Sequence, residues 1–269
     1  VITHSAFKRI GTRPETMEAV TKDLLTQLEE AIKDSTDRIS RSRLEQRLEQ
    51  AKRRAEARFS KAKDQAVFFE DMGVDFLYVD EAHGFRKLDF VTNRDRVKGI
   101  DPSGSEMALD LYSKLEWLRK EHPGRSHVLA SGTPVTNTMA ELYTVMRYMD
   151  PDGLERDGLS SFDAWATMFG RVKADLEQNA SGSYEIVERF AKFVNVPELM
   201  KRVRGFMYVL TMSQLGDLVK RPDLKTGQPI NVVAQASPAV QDYLKNVLAP
   251  RIEKSKKWRP SAQEKGNPD

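Results

Sequence analysis

The run Phe76-Leu77-Tyr78-Val79 ends directly on Asp80 and Glu81, and this junction restricts the fold more than any other feature of the chain. Four consecutive apolar or aromatic residues predict a short strand, apolar on both faces, of the kind found centrally in parallel sheets covered by helices. Two carboxylates at its end are costly to desolvate unless they meet a metal, a cation or a water to activate. Neighbouring side chains on a strand point opposite ways, so both acids serve one site only where the backbone turns. Ala82 and Gly84 are small enough to permit that turn.

The rest of the chain supplies the surroundings. Val1 to Thr3 reads as a short strand, turned by Gly11 and Pro14 into a helical hairpin over 13–65. Val20, Leu24, Leu28 and Ile32 form one apolar stripe, and Leu44, Leu48, Ala51, Ala55, Phe59, Ala62 and Ala66 form the return stripe. The second helix is strongly basic: Arg38 to Lys63 holds ten Lys or Arg against three Glu. Such a face is either a solvated surface or a nucleic-acid contact. A polar loop at Asp101 to Ser105 leads into a helix from about Glu106 to Lys120, and "HVLA" at 127–130 is the next strand, running into "SGTPVTNT". Strand, helix and strand with short loops predict a parallel sheet, which presents functional residues at the carboxyl ends of its strands. Asp80, Glu81, Ser131 and Thr133 fall there. A helical subdomain is expected over 151–222, with Phe162, Trp165, Phe169, Phe190, Phe193, Val194, Leu199 and Val203 in its core. A further strand near "QPINVVAQ" and a helix opened by Ser237-Pro238 follow, and the tail reads as linker.

With 39% apolar residues the chain can bury a substantial core, and 31% charged residues require a broad solvated surface. No apolar run approaches a membrane span, and no secretory leader pattern opens the chain. Zero cysteines exclude disulfides and thiolate metal sites and fit a reducing cytoplasm, the expected location. The histidines His4, His83, His122 and His127 show no zinc-ligand spacing. Trp117, Trp165 and Trp258 read as packing residues rather than base-stacking platforms.

"VDEAH" on one strand and "ASGTPVTN" on the next resemble the second and third motifs of superfamily 2 helicases, above all the SWI/SNF-like DEAH-box DNA translocases. Gly132, Thr133, Pro134 and Asn137 match that branch's third motif; Ala130, Ser131, Val135 and Thr136 depart from it. "AELYTVMRYMDPDGL" and "SSFDAWATMFG" resemble the segments that follow the motif, whereas Thr211 and Met212 stand where paired arginines are expected. The resemblance runs from Val1 to about Leu248 and leaves out the hairpin, which looks like an insertion. "THSAF" and "SGTPVTNTMAELYTVMRYM" also resemble phage- and plasmid-borne proteins that join such a helicase to an adenine-specific DNA methyltransferase.

The resemblance implies a partial RecA-like (P-loop NTPase) parallel sheet with a large helical complement, an α/β fold. Residues 1–12 and 66–150 belong to the first lobe, and 223–269 to the start of a second lobe or a linker. It implies ATP and Mg²⁺ as cofactors and DNA, in duplex form, as partner. Asp80 holds the metal, Glu81 orients the attacking water, and His83 reaches Ser131 and Thr133, whose hydroxyls report the state of the phosphate site. Thr3, Ser5, Arg86, Lys87 and Asn137 are the candidates for contacting the DNA backbone. No Gly-Lys pair occurs, so the loop G-x-x-x-x-G-K-[ST] that cradles phosphates is absent from these residues. The expectation is a piece of a longer translocase, inactive alone and completed by the remaining lobes of its parent. The rival expectation is a non-catalytic module that binds nucleic acid or protein on a relic of the same fold.

Overall fold

The computed structural model describes residues 1–35, 38–63, 67–94, 97–136, 138–178, 184–216, 227 and 230–257. The chain divides into two compact units, one of Val1–Lys173 with Glu188–Phe206, the other of Ala174–Val187 with Met207–Asp269.

In the first unit the expected strand at Val1 to Thr3 is absent. Thr3 instead N-caps a helix, α1 (His4–Phe7), its hydroxyl accepting from the Ala6 amide at 3.2 Å. Val1 and Ile2 lie exposed with no strand beside them, so nothing holds them extended. α2 (Pro14–Asp34) and α3 (Arg38–Lys63) form the hairpin. It leaves and rejoins the body at one place, where Gly11 and Phe68 form a parallel bridge and the Phe69 amide donates to the Gly11 carbonyl at 2.8 Å. The stripe buried on α2 is centred on Met17, Thr21 and Leu28, with Val20, Leu24 and Ile32 at its margins. Opposite lie Leu44 and Ala55, fully buried, and Leu48 and Ala51, partly so. Phe59, Ala62 and Ala66 lie outside the described side chains and residues.

β1 (Leu77–Val79) and β2 (His127–Leu129) pair in parallel, Leu77 with His127 and Val79 with Leu129. α4 (Glu106–Glu121) is the crossover between them, N-capped by Ser105. The core between sheet and helix contains Phe69, Val79, Phe85, Leu111, Leu115, Leu118 and Tyr148. Lys114 sits wholly inside it: its Nζ donates to Asp110 at 2.7 Å and to the Phe7 carbonyl at 3.0 Å, 3.9 Å over the Phe7 ring. Burial pushes this ammonium down from its ordinary value, and the Asp110 charge opposes the shift. The lysine thereby ties α1 to α4.

The expectation of a strand covered on both faces is corrected. Val79 faces the core, but Tyr78 is 63% exposed and its partner Val128 is 41% exposed, so one face of this two-stranded sheet is open among the described residues.

The expectation of an all-helical stretch over 151–222 is also corrected. α5 (Ala140–Met149), α6 (Pro151–Arg156) and α7 (Phe162–Phe169) lead into a β-hairpin, β3 (Gly170–Gln178) and β4 (Tyr184–Phe193), before α8 (Val196–Phe206). The alternation of Arg171-Val172-Lys173-Ala174-Asp175-Leu176-Glu177 has the period of a strand and favours pairing. The Phe190 ring occupies the space that a Cβ on Gly170 would need, which explains a glycine where α7 gives way to β3. The aromatic core expected here does form, with Phe162, Trp165, Phe169 and Phe190 buried against Phe90 and Tyr143. β4 also bridges to Lys98, whose amide donates to the Glu188 carbonyl at 2.8 Å.

In the second unit α9 (Met212–Leu215) carries a capping box between Thr211 and Gln214. Ser237 caps α10 (Pro238–Asp242), which continues through a π-helical stretch at Tyr243–Leu248 into α11 (Ala249–Lys257). The strand expected near "QPINVVAQ" does not form over the described residues 230–236. Trp258 lies outside the described residues. No helix among the described residues is long and apolar enough to cross a membrane.

Candidate functional site

β1 and β2 end side by side, and the ladder continues past both: the Ala130 amide donates to the Val79 carbonyl and the Ala82 amide to the Ala130 carbonyl, each at 2.8 Å. Between these two bonds the backbone turns at Glu81, which adopts a left-handed conformation with φ 50° and ψ 41°. For a residue with a Cβ this conformation costs of the order of 1 kcal/mol. The turn thus falls on the acid itself, one residue before the small residues expected to supply it. Two bonds hold it there. The Asp80 Oδ1 accepts from the Glu81 amide at 2.9 Å, and His4 Nε2 lies 2.9 Å from the Asp80 carbonyl, an acceptor to which an Nε2–H donates. His4 also packs edge-on against Phe85, ring centroids 5.0 Å apart.

The structure brings the expected residues of the two motifs together. His83 Nδ1 lies 3.0 Å from Glu81 Oε2 and 3.3 Å from Ser131 Oγ, and Ser131 Oγ accepts from the Thr133 amide at 3.1 Å. One imidazole nitrogen therefore joins the acidic turn after β1 to the hydroxyl loop after β2. A protonated Nδ1 donates to the carboxylate; a bare Nδ1 accepts from the serine. Asp80 and Glu81 are both exposed. Among the described residues no group of three His, Cys, Asp or Glu could hold a metal ion. A lone exposed aspartate suits Mg²⁺, which keeps several waters and takes one or two protein carboxylates together with phosphate oxygens.

Arg86 braces the same two loops. Its Nε donates to the His83 carbonyl and its Nη1 to the Thr133 carbonyl, both at 2.9 Å, with a further bond to Thr136 Oγ1. Nη1 lies 3.4 Å from Glu141 Oε2, which also accepts from the Thr136 amide at 2.8 Å. The Arg86 and Glu141 side chains are only 15% and 11% exposed, so Nε and Nη1 of this guanidinium are committed to the brace. Lys87 is exposed and pairs with Asp101 at 3.4 Å. Thr3 is engaged as the cap of α1, Ser5 is exposed on that helix, and Asn137 lies outside the described residues.

Two residues, His4 and Glu141, escaped the sequence reading, as did the docking contact that Arg47 makes from the hairpin. Arg47 donates to the carbonyls of Phe90 at 2.7 Å and Pro102 at 3.2 Å, docking α3 on the loop that follows the acidic turn. Nothing in the local sequence distinguishes it from the other arginines of α3. His4, four residues into "VITH", carries a signal only once the fold places it beside Asp80.

The site therefore stands at the carboxyl ends of two parallel strands, with an acidic turn and a hydroxyl loop joined by a histidine, and comparison with known proteins assigns its class. The chain belongs to the family described as "Probable helicase domain", whose model matches residues 1–207. It is also 26% identical over 236 residues to "Defense against restriction protein B" of Escherichia phage P1, an alignment that covers 85% of this chain and 10% of that much longer protein. No solved structure matches.

Proposed function

We propose that these residues form the later half of a RecA-like first lobe in an ATP-dependent DNA translocase of the DEAH-box, SWI/SNF-like kind. The observation that carries this reading is the contact of His83 with both Glu81 and Ser131, because it links the two strand ends that such a motor must couple. In this reading Asp80 would hold Mg²⁺, which when bound would neutralise the charge that develops on the phosphates of ATP during phosphoryl transfer. Glu81 accepts a proton from the attacking water and aims it. His83 passes the position of Glu81 to Ser131, and Ser131 fixes the Thr133 amide. Arg86 keeps the two loops in register, while exposed Ser5, and Lys87 on exchanging its surface pair with Asp101, would meet a nucleic-acid backbone.

The parent is proposed to be a long chain that supplies the phosphate-cradling loop, a second lobe and, as in the phage- and plasmid-borne proteins it resembles, a fused adenine methyltransferase. The printed name of the phage relative places that protein in defence against restriction, and the parent is proposed to act in the same setting. The deciding experiment is Glu81→Gln in the parent polypeptide. DNA-stimulated phosphate release should fall by about 10²–10⁴-fold with ATP binding nearly unchanged, because the amide keeps the shape and loses the base. The 269-residue chain by itself should release no phosphate above the level of that variant. Undiminished turnover by Glu81→Gln would remove Glu81 from the mechanism, and a lack of turnover in the unmodified parent would replace this reading with that of a non-catalytic binding module.

A further inference from the structure

The hairpin is basic as a whole, but its charge is sorted. Along α3, Arg43, Arg47, Gln50 and Arg54 recur at spacings of four, three and four, which places them on one edge of the helix. Glu45, Glu49 and Glu56 follow their own spacing around another edge. The arginine edge faces the loop that leaves the acidic turn. There Ser40, Arg43, Leu44, Arg47, Thr92 and Asn93 line one small hollow, and Arg47, Gln50 and Arg54 border a second of about 170 Å³ that takes in Asp89, Pro102 and Ser103 and also the apolar Leu24, Leu28, Ala51, Ala55 and Leu109. Arg47 is common to both, so the two hollows adjoin at that residue and together make the groove between α3 and the loop. Its single acid, Asp89, accepts from the Gly104 amide and is thereby committed to the loop.

We infer that this groove seats the phosphodiester backbone of a nucleic acid. Arginine presents planar donors that match phosphate oxygens two at a time, and hydroxyls and amides such as Ser103, Thr92 and Asn93 are common partners of the same oxygens. From Arg43 to Arg54 the edge extends about 16 Å at the helical rise, long enough to meet several successive phosphates of one strand of duplex DNA. An acidic protein segment would gain the charge attraction but no regular phosphate repeat to match that spacing. Arg47 already holds the carbonyls of Phe90 and Pro102, so a backbone lying in the groove presses on the segment that begins at Arg86, beside the acidic turn. The groove deepens the translocase reading by locating a DNA contact for it, and in that sense rests on it.

The test compares two double variants of the full chain with equal loss of charge: Arg43→Ala with Arg54→Ala in the groove, and Arg38→Ala with Arg53→Ala on other edges of α3. Binding to a short labelled duplex DNA is followed by fluorescence anisotropy across a salt series, with far-UV circular dichroism to confirm the fold. The groove pair should weaken binding by about tenfold or more at low salt and reduce the slope of log affinity against log salt by about 2, while the outer pair moves both far less. A third variant, Arg43→Lys with Arg54→Lys, should fall between, since it keeps the charge and loses the planar fork. Equal losses in the two alanine pairs, no loss in the groove pair, or no duplex binding by the unmodified chain would each overturn the groove. None of these outcomes bears on Glu81-dependent turnover, so the groove and the translocase reading fail separately.

Discussion

The acidic turn and the α2–α3 hairpin are both rich in charge, yet they use it differently. At the turn, charged and polar groups meet across long sequence separations: Arg86 with Thr133 and Glu141, His83 with Ser131, His4 with Asp80. In α3 the described ion pairs are exposed, as between Arg41 and Glu45 one turn apart or between Lys52 and Glu29 of α2, with Arg47 the residue that reaches the body. Exposed pairs of that kind contribute about 0–1 kcal/mol, whereas removing one partner of a buried pair strands the other charge. The turn therefore spends its charge on its own geometry, and most of the hairpin's charge stays at the surface.

Arg86→Ala should disturb this contrast most. It leaves Glu141 nearly buried without its cation and releases two carbonyls, so urea unfolding should show a loss of about 3 kcal/mol. A loss under 1 kcal/mol would place Arg86 among the surface charges. Next comes pH, because His127 sits at the foot of the same sheet. Burial, assisted by the nearby Arg119 charge, pushes its pKa down to about 4 against a backbone bond to Tyr148 that opposes the shift. The folded state then binds fewer protons than the unfolded state between the ordinary value of 6.5 and about 4. Stability is fully present above pH 6.5 and declines as pH falls through that window, by about 2 kcal/mol after allowance for solvent. His127→Gln should flatten the decline in a pH series of urea melts. The smallest effect sharpens the comparison inside the hairpin: Arg47→Ala should cost about 1–2 kcal/mol, since two carbonyls lose a charged donor, while Arg41→Ala stays within about 0.5 kcal/mol. Equal values would erase the distinction between the docked arginine and the surface ones.

What was legible in the sequence follows the same division. The strand before Asp80, the parallel strand at His127, the crossover helix and the hairpin all declare themselves through local periodicity, and the two motifs fall at adjoining strand ends as expected. Val1 to Thr3 and the residues at 230–236 have strand-like composition but pair with no strand among the described residues, and a strand is a property of the pair rather than of the segment. The β-hairpin was missed for the converse reason: its aromatic residues read as helical core, while its two strands have each other. In the site, Asp80, Glu81, His83, Ser131 and Thr133 could be named because chemistry and motif coincide there. The contacts of Arg86, His4 and Arg47 could not be read there, since their partners lie 47, 76 and 43 residues away and no local pattern records such a contact.

The single bridge between Gly11 and Phe68 gives the hairpin a degree of independence. An excursion whose two ends are already neighbours can lengthen or shorten at little expense to its host, because doubling a closed loop adds only about 0.6 kcal/mol of entropy. Arg47 is then a hydrogen-bonding contact by which α3 holds its angle to the host loop. A lineage could exchange the outer parts of α2 and α3, and with them whatever the chain grips, while retaining Gly11, Phe68 and one arginine. The arrangement resembles a tool holder: the fitting is conserved by geometry, and the tool is free to change.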